Sequence, residues 1–196
     1  MNWDAQQEAI NRSLTHDNPQ VRAMLARSSN CSVEQLTRLA TDPDEDVKCA
    51  VASNPKTDPA VITQLAYSAS NSVRAGAAYN PNTPLPVLTM LARDDCSAVR
   101  GIVMNNPSSP ASLIVSFAYD EDCLVRLDLP NHPMFPEVAR RLLEQEGALT
   151  EDLPDEWIIR LFEVSFDLSC DCDFHSTPAF TPPRKPRFET GNLNSF

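Results

Sequence analysis

The sequence predicts an all-α helical repeat solenoid, and three features that share a 26-residue period predict it. A valine followed by a basic residue stands at Val21-Arg22, Val47-Lys48, Val73-Arg74, Val99-Arg100 and Val125-Arg126. An apolar-alanine pair keeps the same register at Leu39-Ala40, Leu65-Ala66, Leu91-Ala92 and Phe117-Ala118. A terminator recurs at Asn54-Pro55, Asn80-Pro81 and Asn106-Pro107, with His132-Pro133 as a degraded copy. Seventeen prolines against four glycines suit short helices with fixed ends and argue against a β fold rich in tight turns.

In chain order, residues 1–20 read as a capping helix that turns Trp3, Ala9 and Ile10 toward the first repeat. Residues 21–150 hold five repeats, each of two short helices. In the copy that starts at Val47, Val47, Ala50 and Val51 share one face of the first helix. That helix must stop at Asn54, because Pro55 has no amide hydrogen and disfavours a helical residue before it. Asparagine also tolerates the left-handed backbone that often follows a helix end. The second helix opens on Asp58-Pro59, an N-cap with proline in the first turn, and buries Val61, Ile62, Leu65 and Ala66. Asp42-Pro43 and its equivalents turn the chain back. Helices this short are unstable alone in water, so each copy must bury its stripe against its neighbours.

The copy that begins at Val125 reads as eroded, with Arg140 aligned to Leu88 and Glu144 to Ala92, as a terminal repeat allows. Residues 151–166, with Trp157, Ile158, Leu161 and Phe162, read as a closing helix. Residues 167–196 lose the apolar period; the prolines and the basic cluster Arg184, Lys185 and Arg187 read as a disordered Pro-rich tail or a docking peptide.

The run from Val73-Arg74 through Asn80-Pro81-Asn82-Thr83-Pro84 to Leu88 and Leu91-Ala92 resembles the leucine-rich repeat variant family, in the style of HEAT and armadillo solenoids. The resemblance covers roughly residues 16 to 146. It implies a right-handed superhelix in which α and 3₁₀ helices alternate, and a role as an interaction scaffold. One branch of that family carries an iron–sulfur cluster on N-terminal cysteines; this chain has no cysteine before Cys31, so the feature is not carried over.

A net charge of −11 disfavours a nucleic-acid groove, which needs clustered Lys and Arg. No run approaches the ~20 apolar residues of a membrane span, and the start has no secretory pattern, so a soluble cytoplasmic protein is expected. An acidic residue stands six before the basic one at Asp42, Asp94 and Asp120, with Ser68 and His16 in the other copies. Such side chains can cap helices and tie repeats together; the functional alternative makes the basic residues an anion-binding row. Asp44, Glu45, Asp46, Asp94, Asp95, Glu121 and Asp122 form an acidic edge, with Arg74 and Arg100 beside it, and are candidates for binding a basic protein partner. Asp42-x-Asp44-x-Asp46 is no calcium loop: Val47 stands where glycine is needed and Ser53 where glutamate is.

Cys170-x-Cys172-x-x-His175 is the sharpest metal motif, with ligands suited to zinc or an iron–sulfur centre, although its spacing matches no standard finger. No Ser or Cys nucleophile can be matched to a base, and no Gly-rich phosphate loop occurs. The expected function is therefore a non-enzymatic protein-interaction scaffold without a cofactor. The alternatives are a metal or iron–sulfur accessory protein and a HEAT-like enzyme acting on nucleic acid, the latter opposed by the charge.

Overall fold

The computed structural model describes residues 12–145. The expected cap around Trp3, Ala9 and Ile10, the closing helix of 151–166 and the tail of 167–196 lie outside the described residues. Within them the chain is helical, with no strand among the described residues.

The first helices of successive copies are α1 (Pro19–Arg27), α3 (Glu45–Ser53), α5 (Asn71–Tyr79), α7 (Ser97–Met104) and α9 (Cys123–Asp128). The second helices are α2 (Val33–Leu39), α4 (Pro59–Leu65), α6 (Leu85–Leu91), α8 (Ala111–Ile114) and α10 (Phe135–Gln145). Each first helix packs on the first helix of the next copy, α1 on α3 through to α7 on α9, while each of α2, α4 and α6 touches the first helices on both sides of it. This is the neighbour-to-neighbour stacking that defines a helical repeat solenoid.

The local rules of the sequence produce these elements. Asp44 accepts from the amides of Asp46 and Val47 to start α3, and Asp58 accepts from Ala60 at 2.8 Å to start α4. Ser32 and Gln35 form a reciprocal capping box at α2. The predicted stripe is buried: Val47, Ala50 and Val51 from α3, then Ile62, Leu65 and Ala66 from the α4 segment, with Val61 partly covered. Each fully buried aliphatic side chain contributes about 1.5–3 kcal/mol.

Three expectations are corrected. The second helices of the first three copies are α-helical over seven residues, closed by bonds such as Ala66 N–H to Ile62 O at 2.9 Å. Among the described residues, only Val115–Tyr119 and Leu129–Asn131 are 3₁₀. Proline or a capping side chain fixes the start of these helices well enough to complete full α turns, so α and 3₁₀ do not alternate along the chain.

Asn54 and Asn80 are extended, with φ/ψ of −74°/125° and −67°/126°, rather than left-handed. The proline that follows each requires this.

The fifth copy is displaced rather than eroded. Val138, Ala139, Leu142 and Leu143 are buried where the 26-residue alignment would put residues 139, 140, 143 and 144. One residue fewer between His132 and α10 moves an intact apolar stripe out of register. Arg140 is thus not a failed leucine.

Helices α3 and α5 approach tightly, and Gly76 makes the approach possible. A Cβ there would stand 2.8 Å from the Cys49 carbonyl oxygen and 3.1 Å from Ala52 Cβ. Gly76→Ala gains about 1 kcal/mol of helix propensity, but must push backbone apart. We expect a net loss of about 1–2 kcal/mol from overpacking, read as a lower urea midpoint; a higher midpoint would mean that the joint opens freely.

Candidate functional site

Three sets of polar side chains brace the copies, two of them across the joints and the third within each copy. In the first, an arginine of one first helix grips the aspartate twenty residues on. Arg22 donates to both carboxylate oxygens of Asp42 at 2.7 and 2.9 Å, Arg74 to Asp94 at 2.7 and 2.8 Å, and Arg100 to Asp120 at 2.8 and 2.8 Å. The third guanidinium nitrogen reaches back to the carbonyl six residues earlier, as Arg100 does to Asp94 O at 2.7 Å and Arg126 to Asp120 O at 2.6 Å. Each aspartate also accepts the amide two residues ahead. The sequence offset of six is therefore real, but it joins the arginine to the backbone at the acidic position; the carboxylate itself turns to the arginine of the copy before.

Among the described residues this clamp is missing once. In the second copy Lys48 replaces arginine and pairs with Glu45 at 2.6 Å, while Ser68 replaces aspartate and only caps Ser70 N–H at 3.2 Å. The unclamped joint is the one between α3 and α5, where Gly76 lets the two helices meet tightly.

The second set is buried. Asn54 donates to Ala26 O at 2.6 Å, Asn80 to Ala52 O and Asn54 O at 2.8 and 2.6 Å, and Asn106 to Ala78 O and Asn80 O at 2.6 and 2.9 Å. Their amide oxygens accept from Lys56, Asn82 and Ser108 N–H. His132 continues the series through a hydrogen bond with the Met104 backbone, and burial lowers its pKa from the ordinary value. In the third set Thr57, Thr83 and Ser109 each donate to the carbonyl six residues earlier at 2.6 Å. No buried side-chain polar atom among the described residues lacks a partner.

The Arg74 guanidinium, hydrogen-bonded to Asp94, holds its carboxyl below the usual carboxylate range, and Arg22 does the same to Asp42. A folded-state pKa below the unfolded value means stabilisation that is complete above the unfolded pKa of about 4. It is lost as pH falls through the folded value. Unfolding midpoints should therefore drop steeply below about pH 4, and Asp94→Asn should flatten that drop in thermal melts run across the range. An unchanged slope would mean that the pair is not linked to folding.

These contacts sort the residues of the predicted acidic edge. Arg74, Arg100 and Asp94 take part in the clamps, with side chains at most 16% exposed. Asp44 and Asp122 serve as N-caps of α3 and α9. Glu45, Asp46, Asp95 and Glu121 remain exposed, Glu45 beside Lys48 and Glu121 3.4 Å from Arg100. The described residues contain no group of three or more potential metal ligands; Cys170, Cys172 and His175 lie outside them.

A surface that the sequence reading missed lies across the first helices of the third, fourth and fifth copies. It is a groove of about 680 Å³ floored by α7. Ser97, Ala98 and Gly101 form the floor, exposed Tyr79 stands on one side and exposed Leu124 on the other. The lining contains the carboxylates Asp122 and Asp128 and no lysine or arginine. Asp122 is held below its usual pKa by its hydrogen bond with Ser97. A Cβ on Gly101 would meet nothing within 4 Å, so packing does not require glycine in this helix. The available signal was a size difference: Ala98 and Gly101 occupy the places that Leu124 and Leu127 hold in the next copy.

The model of the leucine rich repeat variant family matches residues 19–44 and 72–95, the first and third of these copies. No curated protein and no solved structure matches the chain.

Proposed function

From the premise that the chain carries leucine rich repeat variant units stacked as a helical solenoid, we propose that it is a non-enzymatic scaffold that binds a protein partner along the face formed by α5, α7 and α9. The observation that carries this reading is the groove over Gly101. Glycine inside a helix costs about 1 kcal/mol relative to alanine, and nothing in the fold occupies the space that an alanine would fill. The result is an apolar trough between Tyr79 and Leu124, and apolar troughs with aromatic walls are where extended or helical segments dock. The acidic rim of Asp122 and Asp128 selects a partner of basic character. The family supports a scaffold rather than a catalyst. In this reading the protein works in the cytoplasm, where its thiols stay reduced. No helix among the described residues is long and apolar enough to cross a membrane.

Leu124→Arg tests the proposal. The side chain is 71% exposed, so the substitution should shift stability by less than about 0.5 kcal/mol. Affinity capture from native extract with the full-length chain should recover a defined partner that the Leu124→Arg chain, with an unchanged helical signal, fails to hold. Identical recovery by both chains would overturn this face as the binding site.

A further inference from the structure

We infer that the groove over α7 is occupied, in the free protein, by the chain's own C-terminal segment Phe180–Phe188, held in cis. The inference rests on the scaffold reading above and adds a regulation to it: a partner must displace the tail.

Chemical complementarity carries the argument. The groove offers an apolar floor and walls, an exposed tyrosine, and two carboxylates with no cation among its lining residues. The segment Phe180-Thr-Pro-Pro-Arg-Lys-Pro-Arg-Phe188 offers two aromatic side chains, three prolines and three positive charges, with no acidic residue among its nine positions. Proline-rich strands are extended without internal hydrogen bonds and lose little conformational freedom on docking against aromatic surface. Arg184, Lys185 and Arg187 can meet Asp122 and Asp128 at the rim; in a chain of net charge −11 this cluster would otherwise have no special place to go.

Reach is sufficient. Thirty-four residues lie between Gln145, the end of α10, and Phe180; with the expected closing helix of 151–166 at about 1.5 Å per residue and the rest extended, the link still spans up to about 80 Å. Packed helices lie about 10 Å apart, so α7 stands only a few helix diameters from α10. Attachment also gives the segment an effective concentration of order millimolar, so a weak intrinsic affinity is enough to close the groove.

Trypsin reads the docked state in the intact protein, because it cuts after Arg184 and Arg187 and cleavage follows the open population. The full-length chain should be cut there at least about tenfold more slowly than a synthetic peptide of residues 177–190. Gly101→Arg, which fills the trough with a like charge where a Cβ meets nothing, should restore the peptide rate, and so should Leu124→Lys. Melting curves check that both variants stay folded.

Cleavage of the intact chain at the peptide rate would overturn the inference, as would protection that survives both substitutions. Protection that grows with protein concentration would also overturn it, by assigning the groove to the tail of a second copy. Each of these failures leaves partner capture by the Leu124 surface intact, so loss of the tail contact and loss of the scaffold reading are separately visible.

Discussion

Asn80→Asp should prevent folding at neutral pH, although it changes one atom. The Asn80 side chain is 0% exposed and donates two hydrogen bonds, to Ala52 O and Asn54 O, while its oxygen accepts from Asn82 N–H. A carboxylate there would face two carbonyl oxygens with no proton to offer, and a buried charge without a partner is among the most costly changes a core can suffer. Asn80→Ala should be milder, at about 3 kcal/mol from the unsatisfied groups and the cavity. The two variants separate further in acid. Protonation gives the aspartic acid one hydrogen to donate, so Asn80→Asp should regain helical signal as pH falls toward about 4, a range in which the parent chain still keeps its clamps. A variant that folds at pH 7 as well as Asn80→Ala would show that the carboxylate escapes to water, and that the asparagine ladder is looser than its distances imply.

The second large effect is expected at Asp120. Its partner Arg100 has a side chain only 6% exposed, and the pair is bidentate. Asp120→Ala leaves that guanidinium with the Asp94 carbonyl oxygen and a marginal contact to Glu121, and removes the acceptor for Asp122 N–H. A loss on the order of 3 kcal/mol follows from stranding a largely buried charge. The chain itself suggests the rescue. The second copy lives with Lys48 and Ser68 in these places, so Arg100→Lys combined with Asp120→Ser should cost less than Asp120→Ala alone, because a flexible ammonium can turn to solvent where a planar fork cannot. Urea unfolding of the two chains gives the comparison. If the double variant is the less stable of the two, the arginine contributes through packing and backbone contacts rather than through its charge partner.

The architecture was legible because it rests on periodicity. Apolar side chains at the places of Val47, Val51, Ile62 and Leu65 recur every 26 residues, and a stripe that recurs can only be satisfied by stacking. The charge ladder was half legible. Asp94 before Arg100 shows as an offset of six, but the stronger bond of Asp94 runs to Arg74 twenty residues back, and linear spacing does not reveal which neighbour a side chain faces. Asn80 was visible as a helix stop and not as a bridge, since the same residue satisfies both and only burial distinguishes them. The one-residue shortening before α10 disguised Val138 and Leu142, because a fixed-period alignment reads any slip as loss of pattern. The groove was least legible: it is defined by what Ala98 and Gly101 lack.

The missing clamp in the second copy gives the rod an order of disassembly. Three joints carry ion pairs that salt screens, and two of them depend on Asp42 and Asp94, which acid neutralises, whereas α3 and α5 are held by backbone contact across Gly76 and by the buried Asn80 bridge, neither of which carries charge. Under acid stress the ends of the rod would then loosen first and residues 45–80 would persist as a residual nucleus, so that amide exchange there would outlast exchange in α7 and α9. Lys48 and Ser68, which look like decay of the repeat, would in that case mark the part of the molecule least sensitive to its ionic surroundings.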